Sequence, residues 1–407
     1  MIPVEQAVAA VAAAFQPLPA EVVGLDVALG RVLAEDVTAN LTQPPTDVSA
    51  MDGYALRADD LDELPTAVRL IGQSAAGKSF SGIVGLGEAV RIFTGAAVPA
   101  GADTIVIQEN VEQRQGQVLI SEAVGRGTYI RRKDQDFHIG DVLLHAGRRL
   151  SPRDIGLAAA MNVPWLPVRR KPRVAVLATG DELAMPGEAL GPDRIVSSAG
   201  FAVAAFVRRF GGEPIALGIG RDDENLLKAM MQAARGADLL LTIGGASVGD
   251  FDLVRHALGD GSFDLGFHKV AMRPGKPLIF GRLGQLPVLG LPGNPASAAV
   301  TSLIFAKPAI ETMLGIIYDT SAKPTARLGR DLPANDGRQD YLRAALGRTP
   351  NGELLATPFH AQDSSLQHVL AAADCLVVRP PHAPSALAGE PVIIVEFGDD
   401  PHPAWSS

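Results

Sequence analysis

The sequence predicts a multidomain protein of α/β and β class, with a central doubly wound α/β domain between two small β domains. Three observations carry this. At ~150 residues per domain, a chain of 407 residues makes roughly two to four domains. Between Arg173 and Leu314, apolar strand-like runs alternate with helical segments, the pattern of a mostly parallel sheet covered on both faces. Before and after that stretch, short β-like runs are separated by turn-forming residues.

In chain order, Val4–Phe15 is Ala-rich without Gly or Pro and reads as a helix, stopped by Pro17 and Pro19. Leu41–Asp52 is dense in Pro, Ser, Thr and Asp and reads as a long loop. Val68–Ile71, Ala89–Phe93, Thr104–Gln108 and Gln117–Ile120 are strand-like, with Gly-rich turns between them. Ser151 is placed to cap a helix running to Met161, with Pro152 in its first turn. The central strands are Arg173–Ala178, Pro214–Gly218, Asp238–Ile243 and Val288–Leu291. Helical patterns at Ser198–Phe210, Glu224–Arg235, Asp252–Leu258 and a longer Ala296–Leu314 alternate with them. From Thr325 the β-like runs return, near Tyr341–Leu346, Leu354–Thr357, Cys375–Arg379 and Val392–Glu396, around a short helix at Leu366–Ala372.

Composition narrows the function. Apolar residues make up 47% and charged residues 20%, which excludes wholesale disorder. A net charge of −9 makes the chain a poor general ligand for nucleic acid. The lone cysteine, Cys375, excludes an intrachain disulfide framework, a cysteine zinc site and an iron–sulfur cluster held by this chain alone. The N-terminus does not read as a signal peptide, and prolines break the longest uncharged run, Leu283–Ala306, so no membrane span is expected. A soluble, cytoplasmic protein is the expectation. The eight histidines show no zinc-hydrolase spacing, and no dinucleotide, Walker A or nucleophile-elbow motif stands where it should.

Three loops leave the carboxyl ends of central strands, where open α/β sheets bind ligands. They are Ala178–Glu182, Gly244–Asp252 and Leu291–Pro295. The second, with glycines 244, 245 and 249 before a helix, suits a phosphate, yet Asp250 and Asp252 would repel one. Magnesium between carboxylate and phosphate would reconcile the two; an ordinary turn capped by an Asp is the bland alternative. In the third loop Asn294 is a plausible helix cap, with Pro295 at the first helical position and Ser297 in the opening turn. His268–Pro277 carries Lys269, Arg273 and Lys276, and prolines stiffen the turn around Gly275 and Lys276. An oxyanion is its natural partner; a solvated charged loop is the alternative.

Together with Ser49–Tyr54 (SAMDGY) and Thr94–Ala96 (TGA), the segments Thr179–Leu183 (TGDEL), Gly244–Asp252 (GGASVGDFD), Arg273–Pro277 (RPGKP) and Leu291–Pro295 (LPGNP) resemble the MoeA family of molybdopterin molybdenumtransferases, related to the gephyrin enzyme domain. The resemblance spans nearly the whole chain. It implies four domains: an elongated N-terminal unit (1–40 plus 141–170), an inserted small β domain (41–140), the α/β domain (171–320) and a C-terminal β barrel (321–407). It implies a homodimer whose active site lies between the α/β domain of one subunit and the inserted domain of the other. The implied reaction takes adenylylated molybdopterin and molybdate, requires magnesium and releases AMP; other proteins of the cofactor pathway are further expected partners.

The resemblance also implies roles. Gly244, Gly245, Ser247, Gly249, Asp181 and Asn294 would bind the pterin phosphate and nucleotide portion. Asp222 and Asp252 would position magnesium, with Glu182 an acidic support and Lys269 neutralising the phosphate as the adenylate bond breaks. Arg273, Lys276, Ser297, Arg343 and Ser364 would hold molybdate. Asp52 and Thr94 would reach in from the second subunit, and Arg131 and Asp136 match substrate-binding positions. Two departures stand out. Arg273 replaces a lysine common in relatives. Asp363 stands where relatives commonly have glycine, and Ser365 is an alternative to Ser364. Rival readings are a molybdopterin adenylyltransferase, which is typically a single domain, and a non-catalytic scaffold.

Overall fold

A computed structural model describes residues 1–221, 223, 229–230, 232–244, 263–316 and 324–398. They form two compact units, one of residues 22–29 and 35–167, the other of residues 1–21, 30–34 and 168 onward.

The first unit is built on a mixed six-stranded sheet in the order Thr104–Ile107, Gly53–Leu56, Glu88–Ile92, Thr66–Ser74, Gln117–Ile120, Val111–Arg114. Side chains alternate along each strand, so each face needs its own cover. Tyr54 and Leu56 pack with Val68, Val106 and Val118, while Ala55 packs with Ile92 and Ile105. Val48–Ser49, within the stretch expected as loop, pairs antiparallel with Ile130–Arg131. The helix Pro152–Ala160 starts as its sequence predicts: Ser151 and Asp154 form a reciprocal capping box.

The second unit contains two sheets. The α/β sheet runs Glu213–Gly220, Arg173–Thr179, Leu239–Ile243, Leu286–Leu291, Ile279–Leu283, Phe263–His268. The first four strands are parallel; the last two are antiparallel. Val174 and Val176 face the helix Ala199–Phe210 through Val203 and Val207. Ala175 and Leu177 face the other way, with Leu240, Val288 and Ala234. Both faces are buried, which is why these strands read as continuous apolar runs.

The second sheet is a closed five-stranded barrel. Gln339–Arg348 pairs with Leu354–Pro358, then come Thr325–Leu328, Pro391–Glu396 and Cys375–Arg379, which returns to Gln339–Arg348. Leu328, Ala344, Ala356, Cys375, Val377 and Ile394 fill it.

Two helices differ from expectation. Val4–Ala12 ends before Phe15, because Ala14 and Phe15 tighten into bonds to Val11 and Ala12. The single helix expected at Ala296–Leu314 divides into Pro295–Thr301, a π-helical Ser302–Ala306 and Lys307–Met313. Pro308 accounts for the division: it has no N–H for the preceding turn, and its ring crowds that turn's carbonyl. The expected helix Asp252–Leu258 and half of Glu224–Arg235 lie outside the described residues. Among the described residues, no helix is long and apolar enough to cross a membrane.

Candidate active site

The parallel register aligns three strand ends: Ala178 opposite Ile243, and Ile243 opposite Leu291. The residues that follow form one rim. Gly244, at φ 90°, leaves no room for a side chain, since a Cβ would stand 2.5 Å from the Thr179 carbonyl oxygen. A Cβ on Gly293 would in turn lie 3.4 Å from Gly244 Cα. The TGDEL, GGASVGDFD and LPGNP segments therefore meet at Gly244. Asp181 and Glu182 are exposed on this rim, and Arg221 donates to the Asp181 carbonyl at 2.6 Å. Asp222, Gly245, Ser247, Gly249 and Asp252 lie outside the described residues. Among the described residues, no cluster of three His, Cys, Asp or Glu converges as a metal cage.

A second group gathers around residues 269–278. Lys269 N–H donates to the Leu278 carbonyl at 2.9 Å, and Val270 N–H to the Lys276 carbonyl at 3.0 Å. That narrow loop carries Lys269, Arg273 and Lys276, the last two exposed. Arg273 grips Asp340 with Nε and Nη2, each at 2.9 Å, and Asp336 stands 3.5 Å from Nη1. Bonding to Asp340 raises the Arg273 pKa above its ordinary value. The Arg338 side chain beside Asp336 draws that carboxyl down to about 2.

Asn294 precedes the helix Pro295–Thr301 but its side chain makes no capping bond. Its Nδ2 donates instead to Ser364 Oγ at 2.9 Å, while Ala296 N–H donates to the Ser364 carbonyl at 3.1 Å. Ser364 thus sits against the LPGNP helix start, whereas Ser365 is tied to Asp363 Oδ1 by its amide at 2.8 Å and its hydroxyl at 2.5 Å. Those bonds, the hydroxyl's first, hold the Asp363 pKa low. Ser297 is buried in the first turn of the same helix. Arg343 is buried with its fork turned on the serine loop: Nη1 to the Leu366 carbonyl at 3.2 Å, Nη2 to that of Asp363 at 2.8 Å.

The remaining candidates share the other unit. Thr94 donates to Asp52 Oδ1 through its amide and its hydroxyl, both at 2.8 Å. The amide bond is the main reason the Asp52 pKa falls below the ordinary carboxylate value. Gly95, Arg131, Gln135 and Asp136 line a cavity of about 630 Å³ with Gln43 and Thr46.

Comparison with known proteins decides the family. Residues 2–162 match the profile of the MoeA N-terminal region (domain I and II), residues 175–312 that of a "probable molybdopterin binding domain", and residues 325–397 that of the MoeA C-terminal region (domain IV). The molybdopterin molybdenumtransferase of Haemophilus influenzae is 34% identical over 386 residues, 94% of this chain and 95% of that protein. The chain belongs to the MoeA family. The Bacillus subtilis molybdopterin molybdenumtransferase is 33% identical over 99% of this chain and 96% of its own length. Two structures of a Pyrococcus horikoshii molybdopterin biosynthesis MoeA protein match with TM-score 0.82, at 32% and 27% identity, covering 98% of this chain and all of theirs. The chain is accordingly a transferase with a role in molybdenum cofactor biosynthesis.

Within this MoeA-family chain, sequence reasoning missed Asp340, Asp336 and Gln362. Gln362 Oε1 accepts from the Arg343 amide at 3.0 Å. None belongs to a quoted motif. Asp340 meets Arg273 across 67 positions, and only the strand pairing that sets Arg273 opposite Asp340 reveals it.

Proposed function

We propose that this chain inserts molybdate-derived molybdenum into adenylylated molybdopterin and releases AMP in a magnesium-dependent reaction. The observation that carries the reading is the meeting of three strand-end loops at Gly244 within a unit that also holds Lys269, Arg273, Lys276 and Ser364. The rim is suited to a phosphate-linked nucleotide, because Gly244 and Gly293 put no side chain between a ligand and the backbone there. Lys269 meets the phosphate as the leaving AMP gains charge. Lys276, with Arg273 and Ser364, takes the tetrahedral oxyanion. Asp222 and Asp252 offer the hard oxygens that magnesium prefers, and magnesium would offset charge on the phosphate.

In the same reading the protein is a cytoplasmic homodimer. Asp52, Thr94, Arg131 and Asp136 of one protomer serve the nucleotide loops of the other. Arg131 and Asp136 line one cavity with Gly95, the neighbour of the Thr94 that bonds Asp52, which supports treating them as one surface.

The test is incubation of the purified protein with adenylylated molybdopterin, molybdate and magnesium, following AMP. AMP release that needs all three components is expected. Consumption of ATP with formation of adenylylated pterin, and no AMP from it, would favour an adenylyltransferase instead. Asp252→Asn keeps size and helix-capping ability but loses charge. It is expected to lower AMP release by orders of magnitude at saturating magnesium with an unchanged melt; near-normal turnover would leave Asp252 as a cap only.

A further inference from the structure

Asp340 has no role in the reading above, yet it governs how Arg273 is held. Met272 and Arg273 pair in parallel with Gln339 and Asp340 at the rim of the barrel, and the Gln339 amide donates to the Ala271 carbonyl at 2.9 Å. This backbone pairing sets the two side chains next to each other. They close a two-point fork, Nε to Oδ1 and Nη2 to Oδ2, both at 2.9 Å. The Asp340 side chain is 8% exposed, while 46% of the Arg273 side chain faces solvent. A carboxylate gripped by Nε and Nη2 occupies one edge of the guanidinium plane. The remaining N–H donors lie on the Nη1–Nη2 end. Asp336 approaches Nη1 only at 3.5 Å and is held more closely by Arg338, at 2.7 Å.

We propose that Asp340 is a positioning residue for oxyanion capture: by gripping one edge of Arg273 it fixes the guanidinium plane and presents the other edge to a doubly charged tetrahedral oxyanion. The inference rests on the reading of Arg273 and Lys276 as the molybdate subsite. An unclamped arginine loses rotamer freedom each time it binds an anion, and a clamped one has lost it on folding. Lysine cannot take this part, because an ammonium is a point charge without a second edge in a fixed plane. Asp340 also offsets the formal charge of Arg273, so Arg273 contributes direction and Lys276 contributes net attraction.

The experiment measures AMP release against molybdate concentration for the full chain, the Asp340→Asn, Arg273→Lys and double variants, with binding of molybdate and tungstate by titration calorimetry beside it. Asp340→Asn keeps the shape but turns an N–H toward one of the two arginine donors. It is expected to raise the molybdate KM by about tenfold or more, with a smaller change in kcat and an unaltered dependence on adenylylated pterin. Arg273→Lys is expected to raise it similarly. Adding Asp340→Asn to Arg273→Lys is expected to change little further, since the clamp has already lost its object. An unchanged molybdate KM in Asp340→Asn, or equal weakening of pterin and molybdate, overturns the proposal. If Asp340→Asn fails to fold, Arg273→Lys carries the test, and an unchanged molybdate dependence there overturns it too. Absence of AMP release in the unaltered chain would instead defeat the functional reading itself.

Discussion

Arg343 is buried to 1% exposure, and its surroundings say what it does. Desolvation lowers its pKa from the usual arginine value, and its donors fold back on the loop that carries Ser364. Arg343→Lys keeps the charge and loses the fork. We expect a loss of roughly 2 kcal/mol or more in stability together with faster amide exchange over residues 363–366. Unchanged exchange there would show that Arg343 does not hold the loop. Cys375 gives a second residue-level test. Burial pushes its thiol from 9.0 up to about 12, so the folded protein keeps a proton that the unfolded chain releases. That stabilisation is complete below about pH 8.5 and is lost as pH rises toward 12. Thiol reagents at pH 8 should label Cys375 only after denaturant is added; rapid labelling of the native protein would contradict the burial. At this scale the sequence was partly legible. Lys269, Arg273 and Lys276 stood out because three cations fall within His268–Pro277, the last of them between two prolines. Asp340 and Gln362 did not, because their partners are 67 and 19 positions away and no local spacing connects them.

Elements were legible where local chemistry decides them. Ser151 and Pro152 announce a helix start, and the structure adds Asp154 to Ser151 in a capping box. Ser151→Ala should cost about 1 kcal/mol, visible as a lower melting temperature with unchanged activity. The turn at Gly275 is a stricter case. It has φ 110°, and a Cβ would meet Thr301 Cγ2 at 2.6 Å. Gly275→Ala should lower stability by about 2 kcal/mol or more and also weaken molybdate use, because the turn between Arg273 and Lys276 must shift. A destabilised protein with normal molybdate dependence would separate the turn's fold from its function. Elements were illegible where tertiary pairing overrides a weak local pattern. Phe263–His268 and Ile279–Leu283 are interrupted by Gly266 and Gly281 and give no clean strand signature, yet they pair with each other. The π-helical Ser302–Ala306 could have been anticipated from Pro308, which sits inside an otherwise helical pattern.

At the scale of the molecule, the alternation of strands and helices in the middle of the chain foretold a sheet buried on both faces, and the sheet is there. The assembly of one unit from three separate stretches of sequence was not legible, since it depends on pairings hundreds of residues apart. If the reading of a shared active site is right, inactive Asp52→Ala mixed with inactive Asp252→Ala should regain part of the activity through hybrid dimers. No recovery after confirmed subunit exchange would place the whole site within one protomer. The three-stretch unit also bears on how the protein is made. Val4, Ala7 and Val11 are covered by the same core that holds Ile310 and Met313, and the Leu18 amide donates to the Met313 carbonyl at 2.8 Å. Ribosomes add ~5–20 residues per second, so this helix waits roughly 15–60 s for its cover. The strands of the other sheet, all between Gly53 and Ile120, emerge and can pair long before that. During translation the apolar residues of Val4–Ala12 are therefore made early and sheltered late.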